Sequence, residues 1–277
     1  MTILITTPRG KVGSELVPLL REKGAPLRLA AHSVEATQRA FPGVEVVPLD
    51  YHDAASVGAA VRGVTAVYLA SPGDFPAEPE QRLIDAAKGA GARKIVKLSA
   101  VGADQADTPL RRVERHIEAS GLAWTFLRPN WFFQNYSTSQ VQAVRGGTLA
   151  EPAGDAKTAF IDTRDIAAVA AAALTTSKLD GQAYTLTGPE ALDRHEVAAI
   201  FARALDRPVA YVSPTDEQFR AALKSVAPPS YVELLSALYG QVRAGATAQL
   251  SDDVERVLGR PPTSFAQFVR DYLHVWR

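Results

Sequence analysis

Residues 2–13 read TILITTPRGKVG, a short β-branched run that passes into a turn containing two glycines. Apolar residues at helical spacing follow over residues 12–23. A strand, a glycine turn and a helix in this order are typical of the G-x-G-x-x-G site where a parallel sheet binds the pyrophosphate of a dinucleotide. Gly10 and Gly13 match the last two glycines, whereas Thr7 stands where the first is expected. The stretch therefore predicts a nucleotide-binding α/β fold with one altered position in its phosphate turn.

Composition excludes several kinds of chemistry. The 277 residues are 47% hydrophobic and contain 30 basic and 30 acidic side chains, so the formal net charge is zero. A neutral chain without a basic, aromatic patch argues against a nucleic-acid partner. The absence of cysteine excludes thiol catalysis and iron–sulfur clusters. Because the sequence starts in a strand and no apolar run approaches membrane-spanning length, we expect a cytoplasmic monomer or homodimer without a membrane partner.

Strand-like and helical patterns alternate through the first half of the chain. This alternation predicts a doubly wound parallel sheet covered by helices. The predicted strands span residues 2–6, 27–31, 44–48, 66–69, 94–98 and 124–127. We expect a nucleotide-binding domain over residues 1–150, its sheet completed by about 155–190, and a smaller, mostly helical substrate lobe over 191–277. Ligands of such sheets bind outside the carboxyl ends of the strands.

The tips of the first four strands predict the cofactor contacts. Backbone amides around Gly10 and Val12 should face a pyrophosphate at a helix N-terminus, and Arg9 and Lys11 add positive charge. In the alternative interpretation, the glycines only shape a tight turn. The predicted cofactor-binding residues are Thr7, Arg9, Gly10, Lys11, Val12, His32, Ser33, Asp50, Ser71 and Pro72.

The second strand tip indicates which nicotinamide dinucleotide is bound. An enzyme that selects NAD usually carries an acidic residue there to bind the ribose hydroxyls. His32 and Ser33 occupy this tip instead, and Arg9 could reach a 2′-phosphate. The sequence therefore favours NADP(H) over NAD(H). Asp50, at the third tip, is interpreted as a residue near the adenine or, alternatively, as a helix N-cap.

Longer motifs resemble a known family. KLSA at residues 97–100, LRPNWFFQN at 127–135 and FIDTRDIA at 160–167 are similar to the NmrA-like branch of the atypical short-chain dehydrogenases. ASPGDF at 70–75 and GRPPTSF at 259–265 resemble the ergot-alkaloid reductases of the festuclavine dehydrogenase type. The resemblance implies a Rossmann fold, NAD(P)H as hydride donor, and reduction of a C=N or C=O bond in a small organic molecule. The same family also contains non-catalytic, NAD(P)-binding redox-sensing regulators.

The proton source is the open question of the sequence. An ordinary short-chain dehydrogenase protonates its carbonyl substrate with a tyrosine that has a lysine four residues on. The matching positions are Arg111 and Arg115, and arginine donates no proton near neutral pH. Either the substrate is an iminium that needs only hydride, or Ser99 or Tyr136 supplies the proton, or the protein does no chemistry. Ser99 has an equally good alternative role in bonding the nicotinamide ribose.

Aromatic residues after the sixth strand predict the substrate contacts. The run WFFQNY at residues 131–136 leaves the carboxyl end of that strand directly. An apolar, aromatic cleft with a few polar groups suits a planar organic molecule. The predicted substrate-binding residues are Phe75, Asn130, Trp131, Asn135 and Tyr136. In the alternative interpretation, half of these aromatic residues pack the interior, as we expect for Phe133.

Overall fold

The structure is a computed structural model that describes residues 2–71 and 76–277. The strands in these ranges, in chain order, are β1 (Thr2–Thr6), β2 (Leu27–Ala31), β3 (Glu45–Pro48), β4 (Val64–Leu69), β5 (Lys94–Leu98), β6 (Ala123–Pro129), β7 (Thr148–Ala150), β8 (Gln182–Leu186) and β9 (Ala210–Val212). The α-helices are α1 (Gly13–Glu22), α2 (Val34–Ala40), α3 (Ala54–Val61), α4 (Ala77–Gly89), α5 (Pro109–Ser120), α6 (Val141–Arg145), α7 (Thr163–Thr175), α8 (Arg194–Leu205), α9 (Asp216–Leu223), α10 (Pro229–Arg243), α11 (Asp253–Leu258) and α12 (Phe265–Asp271). In the described ranges, no helix combines the length and the apolar character that crossing a membrane requires.

The chain divides into two compact units that are interleaved in sequence. Met1–Pro129 and Thr163–Leu186 form the first, which we name the sheet unit. Asn130–Asp162 and Thr187–Arg277 form the second, which we name the helical unit.

The sheet unit contains a parallel sheet in the order β3-β2-β1-β4-β5-β6-β8, seven strands within the described residues. The chain moves outward from β1 to β3 and then returns to continue from β4 on the other side, so the strand order reverses between β1 and β4. This is the doubly wound fold that the alternating patterns predict, and the prediction is confirmed. An open sheet of this kind binds its ligand outside the carboxyl ends of the strands at such a reversal.

The core of the sheet unit follows from the buried, β-branched strands. Apolar residues of the sheet, among them Val67 and Ile95, pack against α3, α4 and α5 in one continuous cluster. An ion pair is buried in the same unit, where the ammonium of Lys97 on β5 donates to a carboxylate oxygen of Glu80 on α4 at 2.7 Å. Both side chains are almost completely buried. The pair fixes the first turns of α4 against the sheet.

The helical unit has an aromatic core. Its short strands β7 and β9 pair in parallel, and 3-10 turns lie at Phe133–Asn135 and Leu273–Val275. The core is built largely from aromatic side chains of α8, of α12, of the two 3-10 turns and of the segment before α7. They are Phe133, Tyr136, Phe160, Phe201, Phe265, Phe268 and Trp276. Phe133 packs in this core, as expected from the sequence.

The turn between β1 and α1 depends on Gly13. A Cβ atom at this position would lie 2.3 Å from the carbonyl oxygen of Thr7 and 2.9 Å from Cα of Pro8. Glycine therefore lets the helix start directly against the backbone of the turn. Thr7, at the position of the first motif glycine, adopts a left-handed conformation with φ 48°. This conformation costs a non-glycine residue about 1–2 kcal/mol, which the surrounding turn must offset.

Replacing Gly13 by alanine is expected to destabilise the protein by at least about 2 kcal/mol, because backbone atoms cannot move aside as a side chain can. Gly58→Ala is the matched control, since Gly58 lies inside α3 and an added Cβ would meet no atom within 4 Å. The control should stabilise the protein by about 0.5–1 kcal/mol through helix propensity. Urea unfolding of the three proteins measures both effects. Equal free energies of unfolding for Gly13→Ala and the parent would contradict the packing role of Gly13.

Candidate functional site

A cavity of about 420 Å³ opens at the carboxyl ends of β1, β2 and β3 in the sheet unit. The strands bring their tips together there because the carboxyl ends of parallel strands share one edge of a sheet. The cavity is lined by Thr7, Pro8, Arg9, Gly10, Ala30, Ala31, His32, Ser33, Thr37, Leu49, Asp50, Tyr51 and His52. Six of the predicted cofactor residues are therefore neighbours: Thr7, Arg9, Gly10, His32, Ser33 and Asp50.

The start of α1 offers donors for an anion. Val12 precedes the helix and has no side-chain oxygen that could cap the first-turn amides. The helix dipole favours negative charge at this end. Lys11 is partly buried beside it, and burial lowers the pKa of its ammonium from the ordinary value. An anionic group at this turn would compensate for the lost hydration of that ammonium.

The β2 tip presents the features that the sequence predicts for a 2′-phosphate. His32 and Ser33 are exposed there, and the exposed Arg9 lines the same cavity. Ser33 also precedes α2, and its carbonyl oxygen accepts a hydrogen bond from the hydroxyl of Thr37 at 2.8 Å. Cationic and hydroxyl groups at one wall of the cavity suit a phosphate better than ribose hydroxyls.

Asp50 has a local structural role in addition to lining the cavity. Its carboxylate accepts a hydrogen bond from the backbone amide of His52 at 2.8 Å. The N-cap of α3 is Asp53, whose carboxylate accepts from the amide of Ala55 at 2.9 Å. The alternative interpretation of Asp50 as the N-cap is therefore wrong.

Tyr51 is a cavity residue that sequence reasoning missed. Its hydroxyl donates to the carbonyl oxygen of Ala70 at 3.2 Å, which connects the tips of β3 and β4. The hydroxyl of Thr6 donates to the same oxygen at 2.9 Å. Burial raises the pKa of Tyr51 above the usual range, so the phenol stays protonated and continues to donate. The available signal was its position directly after Asp50, one residue beyond the tip.

The other predicted residues of the sheet unit lie at different places. Ser71 follows β4 and is partly buried, whereas Pro72 and Phe75 fall outside the described residues. Ser99 is buried after β5, and its amide donates to the carbonyl oxygen of Leu127 at 2.7 Å. In the described part of the chain its hydroxyl has no hydrogen-bond partner. The hydroxyl is also shielded from solvent, so a ligand or a water must enter beside it to bond it, but no internal hydrogen bond has to break.

Arg111 and Arg115 are engaged in ion pairs on α5. The guanidinium of Arg111 donates to Glu114 at 3.1 Å and to Glu118 at 2.9 Å, and these carboxylates raise its pKa. Arg115 donates to Asp107 at 2.9 Å. Both side chains are thus paired cations, at the positions that the sequence analysis matches to the tyrosine and lysine of an ordinary short-chain dehydrogenase.

Two of the predicted substrate residues of the helical unit are buried. The amide group of Asn130 donates to the carbonyl oxygen of Thr247 at 2.9 Å, and its oxygen accepts from the amide of Trp131 at 2.9 Å. The side chain of Asn130 therefore connects the backbone at Trp131 to the backbone at Thr247. Tyr136 packs in the aromatic core, in contrast to the ligand cleft expected from the sequence. Burial and the charge of Glu151 raise the pKa of its hydroxyl well above the ordinary value, which makes it a weaker acid.

Trp131 and Asn135 are partly exposed. The ring of Trp131 lies 4.8 Å from the ring of Tyr239, centre to centre, in a tilted contact. Of the predicted substrate residues that the structure describes, these two are therefore the ones whose side chains reach the surface of the helical unit.

Comparison with known proteins identifies the family. Residues 9–177 match the model of a family described as NAD(P)H-binding. The chain belongs to this family. An NAD(P)H azoreductase from Xenophilus azovorans is 36% identical over 97% of this chain and 96% of its own. Agroclavine dehydrogenase from Claviceps fusiformis is 32% identical over 100% and 99%. The NADPH complex of an NADPH-dependent quinone oxidoreductase from Escherichia coli is similar with a TM-score of 0.86 at 27% identity, over 99% and 100%.

These relatives confirm the resemblance to the NmrA-like atypical short-chain dehydrogenases and, through agroclavine dehydrogenase, to the ergot-alkaloid reductases. The protein is an NAD(P)H-dependent oxidoreductase, and its expected cofactor class is confirmed.

Replacing Arg9 and His32 together by alanine is expected to weaken NADPH binding by about 10–100-fold, because charge-assisted bonds to the 2′-phosphate are lost. NADH has no such phosphate, so its affinity should change by less than about threefold. Titration of nicotinamide fluorescence measures both dissociation constants. Arg39→Ala is the control, since Arg39 lies on α2 and pairs with Glu35 outside the cavity lining. Equal weakening of NADPH and NADH would contradict the assignment.

Proposed function

We propose that this reductase prefers NADPH to NADH and transfers hydride to a C=N or C=O bond of a small aromatic or hydrophobic molecule. The reaction would proceed without the Tyr/Lys pair of ordinary short-chain dehydrogenases. The observation that carries the proposal is the cavity at the ends of β1, β2 and β3, where Arg9 and His32 meet the phosphate turn.

The described residues fit a bound dinucleotide. Gly13 allows the start of α1 to approach the turn closely, so that amides and the Lys11 ammonium can hold a pyrophosphate. Arg9 and His32 would hold the 2′-phosphate, and Tyr51 would keep the third wall in place. When bound, the reduced nicotinamide supplies the hydride. The similar quinone oxidoreductase in complex with NADPH supports the same preference here.

The two arginines of α5 are not proposed as proton donors. Arg111 and Arg115 are paired with carboxylates, and a guanidinium keeps its protons near neutral pH. The reaction therefore needs either an acceptor that requires no acid, such as an iminium carbon, or another hydroxyl. Ser99 is the hydroxyl that we propose for a carbonyl acceptor, directly or through water, because it has no internal partner among the described residues.

Trp131 is the residue that we propose for substrate contact. Its ring is partly exposed and already packs against another aromatic ring. Such a ring can stack on a planar molecule with little loss of side-chain freedom. Asn135, on the adjacent 3-10 turn, would supply a polar contact. The azo, quinone and ergot-alkaloid names of the relatives are consistent with acceptors of this small, unsaturated kind.

The test is a cofactor titration followed by a substrate screen. NADPH and NADP⁺ should bind. With a catalytic amount of the protein, cyclic imines or quinones should cause the absorbance of NADPH to fall. Tight binding of both nucleotides with no turnover of either substrate class would contradict the proposed function and favour a redox-sensing regulator.

Ser99→Ala is expected to separate the two acceptor classes. With a quinone it should lower kcat by about 10²–10⁴-fold, the usual contribution of a positioned proton donor. With a cyclic iminium, which needs no proton, the loss should be less than about threefold. Steady-state kinetics on both substrates, together with the dissociation constant for NADPH, measure this difference.

Ser120→Ala is the matched control for this experiment. Ser120 is also a buried serine of the sheet unit, but it lies at the end of α5 and donates to the carbonyl oxygen of Ile117. It should leave both kcat values unchanged. Equal losses with quinone and iminium in Ser99→Ala would show that Ser99 positions the cofactor and does not deliver a proton.

A further inference from the structure

A buried polar cluster in the helical unit is built on Glu151 and Arg194. Their side chains are 3% and 0% exposed, and Nε of Arg194 lies 2.9 Å from Oε2 of Glu151. A guanidinium nitrogen also donates to the hydroxyl of Thr158 at 2.6 Å. The hydroxyl of Tyr239, on α10, donates to the same Oε2 at 3.1 Å. We name these residues the Glu151 cluster.

The ion pair in this cluster forms one of the two parallel hydrogen bonds that an arginine and a carboxylate can make. In the sheet unit, Arg128 and Glu114 form two parallel bonds, from Nε at 3.0 Å and from Nη2 at 2.8 Å. In the Glu151 cluster, Oε2 accepts both Arg194 and Tyr239, whereas Oε1 of Glu151 and Nη2 of Arg194 have no hydrogen-bond partner in residues 2–71 and 76–277. A pair selected for stability would close the second bond, since buried polar atoms without partners are costly. Oε2 is instead shared between Arg194 and Tyr239, and the Glu151 charge, after burial, also raises the pKa of the neighbouring Tyr136 hydroxyl.

The same groups surround Trp131. The guanidinium carbon of Arg194 lies between two rings, 4.7 Å from the centre of Phe160 and 5.9 Å from the centre of Trp131. The ring of Tyr239 lies 4.8 Å from it, at an interplanar angle of 46°. Arg194 and Tyr239 are buried, whereas Trp131 is partly exposed. Trp131 is therefore a surface ring whose inner contacts are set by an ion pair and by a tyrosine with a fixed hydroxyl.

We propose that Glu151, Arg194 and Tyr239 are positioning residues that hold the Trp131 ring in one orientation and thereby select planar aromatic substrates. The inference rests on the proposed function, in which Trp131 contacts the substrate. Glu151 anchors the Tyr239 hydroxyl, the Tyr239 ring limits the tilt of Trp131, and the Arg194 cation adds an attraction to the electron-rich indole. A ring held before the substrate arrives loses less entropy on binding.

The central experiment compares Tyr239→Phe with Tyr211→Phe. Tyr239→Phe keeps the ring beside Trp131 and removes only the hydroxyl that bonds to the Glu151 carboxylate. Tyr211 is the matched control, because its hydroxyl donates at 2.8 Å to the backbone carbonyl of the same residue, Glu151. Tyr239→Phe should raise the KM of a planar polycyclic quinone by about five- to tenfold with kcat within about twofold of the parent. Tyr211→Phe should change neither constant, and the dissociation constant for NADPH should stay the same in both.

A second readout does not need turnover. The fluorescence difference between each protein and the same protein carrying Trp131→Phe isolates the emission of Trp131 from that of Trp124 and Trp276. Acrylamide should quench this emission more strongly in Tyr239→Phe than in the parent, because the ring moves more freely. Tyr211→Phe should match the parent.

The outcomes separate this inference from the proposed function. Unchanged KM and unchanged quenching in Tyr239→Phe, or equal effects in Tyr211→Phe, would overturn the positioning role while turnover by the parent upholds the function. If the parent reduces no substrate, the proposed function fails, and the quenching difference between the two variants still decides whether the Glu151 cluster holds Trp131.

Discussion

The close approach of α1 to the backbone of the preceding turn is the constraint on which the candidate nucleotide site depends. Gly13 permits it, because any Cβ there would collide with the carbonyl oxygen of Thr7. That carbonyl also accepts the amide hydrogen of Gly10 at 2.9 Å. The turn is thus determined by its own backbone bonds, and Thr7 must follow it into a left-handed conformation. The first glycine of the motif makes this conformation easy, but the third glycine is the one that the geometry requires.

Much of the candidate cofactor cavity could be located from the sequence because its residues lie on consecutive strand tips. In a parallel sheet these tips converge, so Arg9, His32 and Asp50 could be placed together without knowledge of any side-chain contact. Tyr51 was not predicted because its role comes from a hydrogen bond to Ala70, which follows the end of β4. Nothing in the local pattern near residue 51 indicates that partner.

The substrate residues were less predictable for a different reason. The aromatic run after β6 enters a 3-10 turn, where neighbouring side chains point in different directions and alternation gives no guide to burial. Trp131 is therefore partly exposed, whereas Tyr136 packs beside Phe201 and Phe265. Asn130 donates to Thr247, which is 117 residues away in the chain. Only the tertiary structure shows that its amide is already in use.

Two buried glutamates, Glu114 and Glu151, each pair with an arginine, but the two pairs differ in their hydrogen-bond geometry. Arg128 and Glu114 close both bonds of the fork, and Arg111 on α5 joins them, so the buried Glu114 carboxylate is paired with two cations. Arg194 and Glu151 leave one bond open, because the carboxylate also accepts from Tyr239. In the protein interior, where the dielectric constant is low, hydrogen bonds to a charged group are strong. A third group that donates to the carboxylate can therefore determine how the carboxylate is oriented towards the guanidinium. In the helical unit that third group is Tyr239, whose hydroxyl bonds to the carboxylate and whose ring contacts the partly exposed Trp131.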